Sequence, residues 1–123
     1  VDFNISHSGE FILAVFAVGM DIGVDVQEMA ECPDYREIAE NFYTAEEAED
    51  VKNEGPDLFF QYWAAKEAYV KALGIGLGRG MDFFSVRNEK IAEKDKKDQD
   101  WFLYPVRIKG YAAYVAAHKK GDR

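Results

Sequence analysis

The chain has 123 residues, of which 48% are hydrophobic, so it carries enough apolar material for one core and little for a second. A formal net charge of −8 argues against a general nucleic-acid or anionic-membrane binder, because both need a basic surface. The single cysteine excludes an internal disulfide, and the longest apolar run is far shorter than the ~20 residues of a membrane helix. We therefore expect one domain over residues 1–123, located in the cytoplasm.

The first two predicted elements are strands. Residues 2–9 begin with alternating apolar and polar side chains and then reach a glycine, which is typical of a short strand that enters a turn. Residues 11–18 are too few, and too rich in β-branched and aromatic side chains, for a helix. We predict a buried strand there.

A third strand is predicted at residues 22–27, where aliphatic residues alternate with others at a period of two. The alternation places Gly23, Asp25 and Gln27 on one face of the strand and the aliphatic residues on the other. The side chains of Asp25 and Gln27 therefore point the same way.

Two short helices are predicted next. Residues 35–42 form the first. Thr44 and Glu47 have the spacing of a capping box, in which each side chain bonds the backbone N–H of the other residue. A second, acidic helix therefore begins at this point and continues to about Lys52.

A longer central helix is predicted over residues 56–73, with a proline in its first turn and Gly74 as its left-handed cap. One apolar stripe at helical spacing consists of Leu58, Tyr62, Ala65, Tyr69 and Leu73. A second stripe holds Glu67 and Lys71 together with two aromatic residues. A structural explanation is an i,i+4 ion pair worth about 0.2–0.5 kcal/mol. We favour a functional one, because charges held among apolar groups are costly unless they bind something.

The rest of the chain predicts further strands. The alternate glycines of residues 74–80 resemble a phosphate cradle only weakly, since they follow a helix instead of preceding one. Residues 83–86 suit a strand, residues 94–98 a charged turn, and residues 101–108 and 111–118 an antiparallel pair. The order of elements predicts an α+β fold in which an antiparallel sheet packs against the long central helix.

Asp25 and Glu67 are candidate metal ligands, because both are expected close to the seam between sheet and helix. Two carboxylates suit Mg²⁺, which typically takes one or two of them and completes its octahedron with waters and substrate phosphates. Lys66 and Lys71 are the cations that would neutralise such phosphates. A lone aspartate and a lone glutamate are equally compatible with structural roles.

His7 is a second candidate for phosphate binding. A single histidine near the end of a strand is commonly structural. The neighbouring Ser6, Ser8 and Gly9, however, offer hydroxyls and turn amides that form an anion-binding concavity.

Three blocks of sequence, residues 4–9, 22–26 and 63–71, resemble in order and spacing the signature blocks of the 4′-phosphopantetheinyl transferases. The resemblance covers residues 3–86. The histidine–serine block before the aspartate block is similar to the C-terminal half of the surfactin-synthetase-type branch, and residues 114–118 resemble the closing strand of that half. The resemblance implies a single phosphopantetheinyl-transferase-like domain, equivalent to one half of a two-half enzyme.

The resemblance also implies an activity. Such an enzyme moves the phosphopantetheine arm of coenzyme A onto a serine of an acyl or peptidyl carrier protein and releases adenosine 3′,5′-bisphosphate. Asp25 and Glu67 would hold Mg²⁺ on the coenzyme's diphosphate, and Glu67 would accept the serine proton. Lys71 would act with Glu67 as a catalytic residue.

By the same resemblance, Lys66 and Lys71 would bind phosphate oxygens, and Ser6 with His7 would bind the 3′-phosphate of coenzyme A. Gln27 departs from the surfactin-type pattern, which has a third carboxylate at that position. Its amide oxygen is neutral and a poorer ligand, so we expect a water to fill that position on the metal.

A second departure is the absence of the N-terminal half, which in this branch supplies part of the coenzyme pocket. We expect either self-association or a missing N-terminal half. Two other functions remain open: a non-catalytic half-domain that binds coenzyme A or carrier protein or completes an assembly, and an unrelated Mg²⁺-dependent phosphohydrolase that uses the same carboxylates.

Overall fold

The fold is α+β, as predicted. The computed structural model describes residues 2–76, 80–93 and 100–120. The strands in these ranges are β1 (Asp2–Ser8), β2 (Phe11–Ala17), β3 (Met20–Glu28), β4 (Phe84–Ser85), β5 (Ala92–Glu93), β6 (Phe102–Pro105) and β7 (Tyr111–Lys119). The α-helices are α1 (Tyr35–Phe42), α2 (Ala45–Glu54) and α3 (Pro56–Leu73), and a short 3₁₀ turn covers Arg87–Glu89.

The helices confirm the predictions from capping residues. The Thr44 hydroxyl accepts from the Glu47 N–H at 3.2 Å, and the Glu47 carboxylate accepts from the Thr44 N–H at 3.0 Å, which completes the capping box of α2. Helix α3 ends at Gly74, whose φ of 72° is the left-handed conformation that glycine adopts without a Cβ penalty.

The main sheet has the order β3–β7–β6, with both pairs antiparallel, and it packs on α3. Small side chains line the contact, and those that are buried on α3 and β7 include Ala64, Ala65, Ala68, Ala112 and Ala116. Larger buried side chains in the same core include Tyr43, Phe59, Tyr69, Val70 and Phe84. The central helix is therefore covered by sheet, as predicted.

Gly23 explains how closely β3 approaches α3. A Cβ built on Gly23 would collide with the backbone carbonyl oxygen of Ala68 and the backbone nitrogen of Ala72. Only a residue without a side chain fits this contact. The face of β3 that carries Gly23, Asp25 and Gln27 therefore lies against the central helix.

The β1–β2 hairpin docks on β3 through side chains. Four polar residues of β1 accept hydrogen bonds from backbone N–H groups of β3: Asp2 from Met20, Asn4 from Val24, Ser6 from Val26 and Ser8 from Glu28, at 2.9–3.3 Å. These side chains are alternate residues, so all of them lie on one face of β1. They give hydrogen-bond partners to backbone N–H groups along the edge of β3 that does not pair with β7.

The opposite face of the hairpin corrects one prediction. The sequence predicts a buried strand at residues 11–18, yet Ile12, Phe16 and Val18 are 73%, 68% and 82% exposed. The continuous apolar run concealed the alternation, because only one face of β2 contacts β3. The other face forms an apolar surface with β1.

Three other predictions differ from the structure in length or position. The strand predicted at residues 83–86 shortens to Phe84–Ser85, and that at 101–108 shortens to Phe102–Pro105. The sheet divides into three in the described ranges: β1–β2, β3–β7–β6 and β4–β5. The charged turn at 94–98 and part of the glycine loop at 74–80 lie outside the described residues. Within the described residues, no helix is both long enough and apolar enough to cross a bilayer.

Candidate functional site at the seam of β3 and α3

Asp25 is the most constrained carboxylate of the site. Its side chain receives a hydrogen bond from the Ser6 hydroxyl at 3.4 Å on Oδ1 and one from the Gln27 amide at 2.9 Å on Oδ2. Only 6% of Asp25 is exposed. Burial raises the pKa of Asp25 to about 6, and the negative charge of Glu67 adds to that rise against the lowering effects of Gln27, Lys71 and Ser6.

Glu67 faces the same seam from α3. It is partly buried, and burial raises the pKa of its carboxyl group while the nearby Lys71 ammonium lowers it. The structure thus brings Asp25 and Glu67 into mutual electrostatic range, as the sequence predicted. No group of three or more metal-ligating His, Cys, Asp or Glu side chains occurs in residues 2–76, 80–93 and 100–120, so the candidate donor set consists of these two carboxylates.

Lys71 links three elements at this seam. From α3, its ammonium donates to the backbone carbonyl oxygen of Ile5 on β1 at 2.9 Å and to that of Val24 on β3 at 2.7 Å. A helix-surface ion pair with Glu67 therefore does not describe its role. An ammonium has three protons, so among the described residues one proton of Lys71 remains beyond these two bonds.

Ser6 and His7 lie on opposite faces of β1. The Ser6 hydroxyl is buried and directed at Asp25 and at the Val26 N–H. His7 is exposed and lies across from Ile12 on the free face of the hairpin. The structure therefore brings Ser6 to the carboxylate pair and leaves His7 outside it.

Lys66 lies in a different environment from Lys71. Its side chain is fully buried, and its ammonium contacts the Glu47 carboxylate at 2.8 Å and the carbonyl oxygens of Met81 and Phe84 at 2.7 and 2.6 Å. These three partners use all three ammonium protons. The Lys66 ammonium therefore faces Glu47 and the segment after α3, and these contacts do not place it with the side chains around Asp25. Its contact with a phosphate stays a prediction.

Comparison with known proteins identifies the family. The model of the 4′-phosphopantetheinyl transferase superfamily matches residues 21–117, a range that includes all three helices and most of β3 and β7. The chain belongs to this superfamily. The resemblance noted in the sequence is thereby confirmed.

Individual members of the superfamily are similar at 29–40% identity. The 4′-phosphopantetheinyl transferase ffp of Bacillus subtilis is 40% identical over 89 residues, which are 69% of this chain and 38% of that protein. Sfp of Bacillus subtilis strain 168 is 38% identical over the same shares of each chain. The L-aminoadipate-semialdehyde dehydrogenase-phosphopantetheinyl transferase of Rattus norvegicus is 29% identical over 144 residues, covering 98% of this chain and 47% of that protein. The chain thus matches less than half of the length of each of these relatives.

Glu47 is buried and has contacts beyond the capping box that the sequence predicts. The capping box was predicted, but the Glu47 carboxylate also pairs with Lys66 and accepts from the Val86 N–H at 2.8 Å. Glu47 thereby joins α2 to α3 and to the segment after α3. A fully buried carboxylate needs a compensating charge or further hydrogen bonds. Lys66 supplies that charge from nineteen residues later in the chain, so no local sequence pattern indicates the pair.

An apolar cavity of about 230 Å³ adjoins the carboxylate pair. It is lined by Gln27, Ile38, Phe59, Phe60 and Trp63. Gln27 belongs both to this cavity and to the hydrogen bonds of Asp25. The site therefore combines a charged edge with an apolar wall, an arrangement that suits a ligand with a charged end and an apolar or amphipathic remainder.

Proposed function

We propose that this chain carries the site for Mg²⁺-dependent transfer of 4′-phosphopantetheine from coenzyme A to a serine of an acyl or peptidyl carrier protein. The observation that supports this most strongly is the pair Asp25 and Glu67, partly desolvated beside Lys71 in a member of this superfamily. Desolvated like charges are unfavourable unless a cation or substrate compensates them.

The residues fit a hard divalent cation. Asp25 and Glu67 offer carboxylate oxygens, which Mg²⁺ prefers, and burial raises the pKa of both groups despite the nearby Lys71 ammonium. We propose that these two side chains hold the cation. A cation held there would supply positive charge against the diphosphate oxygens and the charge that develops on the leaving group.

The remaining side chains receive distinct tasks. The serine oxygen of the carrier protein forms a bond to the pantetheine-side phosphorus, the bond from that phosphorus to adenosine 3′,5′-bisphosphate breaks, and the serine proton passes to Glu67, directly or through a water. The remaining donor of the Lys71 ammonium binds a phosphate oxygen. The exposed imidazole of His7 is available to the 3′-phosphate.

Ser6 and Lys66 receive structural tasks in this proposal. The Ser6 hydroxyl supports Asp25, since its oxygen and its proton already have partners within the chain. Lys66 fixes the segment after α3 through Met81 and Phe84. Both roles differ from the phosphate contacts that the resemblance implies.

The exposed apolar face of the β1–β2 hairpin supports the proposal that the site is incomplete in the isolated chain. Phe3, Ile5, Ile12 and Phe16 share this face and are 62%, 49%, 73% and 68% exposed. A contiguous apolar surface of this kind marks an interface. We propose that a second copy of the chain, or further polypeptide of a longer enzyme, covers it in the active state. If the chain lacks turnover under all conditions, this surface favours the alternative of a non-catalytic half-domain.

The proposed transfer is tested with a labelled coenzyme A, an apo carrier protein and a matched pair of variants. Glu67→Gln removes the proton acceptor, and Glu49→Gln makes the same change at an exposed position of α2. We expect transfer by wild type and Glu49→Gln, and a loss of about 10²-fold or more with Glu67→Gln. Equal rates for all three would remove Glu67 from the reaction. Coenzyme A hydrolysis without a carrier protein would instead indicate a phosphohydrolase.

A further inference from the structure

Gln27 contacts Asp25 in a specific way. The two residues are separated by one position on β3, so they share a face, and the Gln27 side chain reaches back to Asp25 Oδ2 at 2.9 Å through its amide nitrogen. The opposite amide orientation would set oxygen against oxygen. Gln27 is therefore a donor toward the ionised Asp25.

The hydroxyl of Ser6 contacts the other oxygen of the same carboxylate. It donates to Asp25 Oδ1 and accepts from the Val26 N–H, which ties its own position to the backbone of β3. Of the two donors, the Gln27 amide is the closer, at 2.9 Å against 3.4 Å. It is thus the stronger restraint on the Asp25 rotamer.

The surroundings of Gln27 disfavour a third negative charge at that position in the metal-free chain. On one side is the Asp25 carboxylate, which also lies within the electrostatic influence of Glu67. On the other side the apolar cavity presents Phe59, Phe60 and Trp63. A carboxylate here would be repelled by its acidic neighbours and poorly solvated by the aromatic wall. A neutral amide avoids both penalties and also supplies a donor.

We infer that Gln27 is a positioning residue that orients Asp25 and limits the cation site to two carboxylates, which gives it weak, readily exchanged binding of a hard divalent cation. The inference rests on the proposed function, in which Asp25 and Glu67 hold that cation. Partners of metal ligands typically change metal affinity by about 10–100-fold when removed, and each added carboxylate increases affinity for hard cations.

The inference is tested without coenzyme A or carrier protein, by titrating MgCl₂ into the metal-free chain at pH 8 and following heat or the thermal midpoint of unfolding. Gln27→Met keeps the length and removes the donor, and Gln27→Glu adds a third carboxylate. Gln61→Met and Gln61→Glu make the same changes at an exposed position of α3. We expect Mg²⁺ binding to weaken about tenfold in Gln27→Met and to tighten about tenfold in Gln27→Glu, with both Gln61 variants unchanged.

Two results would overturn the inference, and they differ in what else they overturn. If the wild type binds Mg²⁺, Asp25→Asn abolishes binding, and Gln27→Met binds as the wild type does, the metal site stands and the role of Gln27 is wrong. If the folded wild type and Gln27→Glu both show no Mg²⁺-dependent heat or shift, the proposed metal site itself fails and the inference fails with it. Circular dichroism of each variant confirms that it is folded.

Discussion

Replacing Asp25 by asparagine should stabilise the metal-free protein while it abolishes the proposed activity. Burial raises the pKa of Asp25 from 3.8 to about 6, so the folded state disfavours the ionised form. A carboxyl whose pKa is raised in the folded state contributes most to the free energy of unfolding at low pH. That contribution is lost as the pH rises from about 4 through about 6. Asparagine resembles the neutral carboxylic acid at every pH.

The size of the effect follows from the shift. A pKa rise from 3.8 to about 6 corresponds to roughly 3 kcal/mol of destabilisation at pH 8 and roughly 1 kcal/mol at pH 4.5. Asp25→Asn should therefore gain stability relative to wild type by up to about 3 kcal/mol at pH 8. The gain should shrink as the pH falls below 6.

The assay is equilibrium unfolding in urea at pH 4.5 and pH 8 with a chelator present, so that no metal stabilises the wild type. Asp21→Asn is the matched control, because Asp21 lies on the same strand but is only partly buried and pairs with His118 at 3.7 Å. A stability gain for Asp25→Asn that is absent, or equal at both pH values, would refute the reasoning. So would an equal pH-dependent gain for Asp21→Asn.

Three other perturbations test how the site is assembled. Gly23→Ala should destabilise the fold by about 1–3 kcal/mol, because the added Cβ meets the backbone of α3. The control Gly76→Ala should not, because its Cβ meets nothing within 4 Å. Equal unfolding midpoints of the two variants in urea would contradict this contact. Lys66→Met should cost about 3–5 kcal/mol, because it leaves the buried Glu47 charge without its cation. Combining it with Glu47→Gln, which removes the charge and keeps an acceptor for the backbone N–H groups, should recover part of that loss. Weaker coenzyme A binding with unchanged stability would instead favour a phosphate ligand. Phe16→Ser, on the exposed hairpin face, should reduce any self-association of the wild type measured by light scattering, without lowering the unfolding midpoint. If the wild type forms an oligomer and the variant has the same particle mass, this face is not the interface.

Local signals in the sequence predicted most of the elements. The capping box at Thr44, the proline at the start of α3 and the glycine at its end set helix boundaries through backbone chemistry that acts within a few residues. The alternation in β3 likewise placed Asp25 and Gln27 on one face. The close contact of that face with α3 at Gly23 is a finding of the structure, since the alternation does not indicate which element the face meets.

Other features depend on contacts between distant parts of the chain. The exposed face of β2 could not be read from an unbroken apolar run, because burial depends on which face meets β3. The burial of Lys66 was missed for a similar reason. Its partners Met81 and Phe84 lie 15 and 18 residues away, and the adjacent Glu67 faces the other environment.

The proposed transfer is tested most directly by mass spectrometry of an apo carrier protein after incubation with the purified chain, coenzyme A and Mg²⁺, over a range of chain concentrations. We predict that the carrier protein gains the mass of one phosphopantetheine group, and that the gain disappears when Mg²⁺ is chelated or Asp25 is replaced by asparagine. The opposite result is a carrier protein that stays unmodified at every concentration of folded chain, although a longer relative modifies the same carrier protein. That result would contradict the claim that this chain holds a working transferase site.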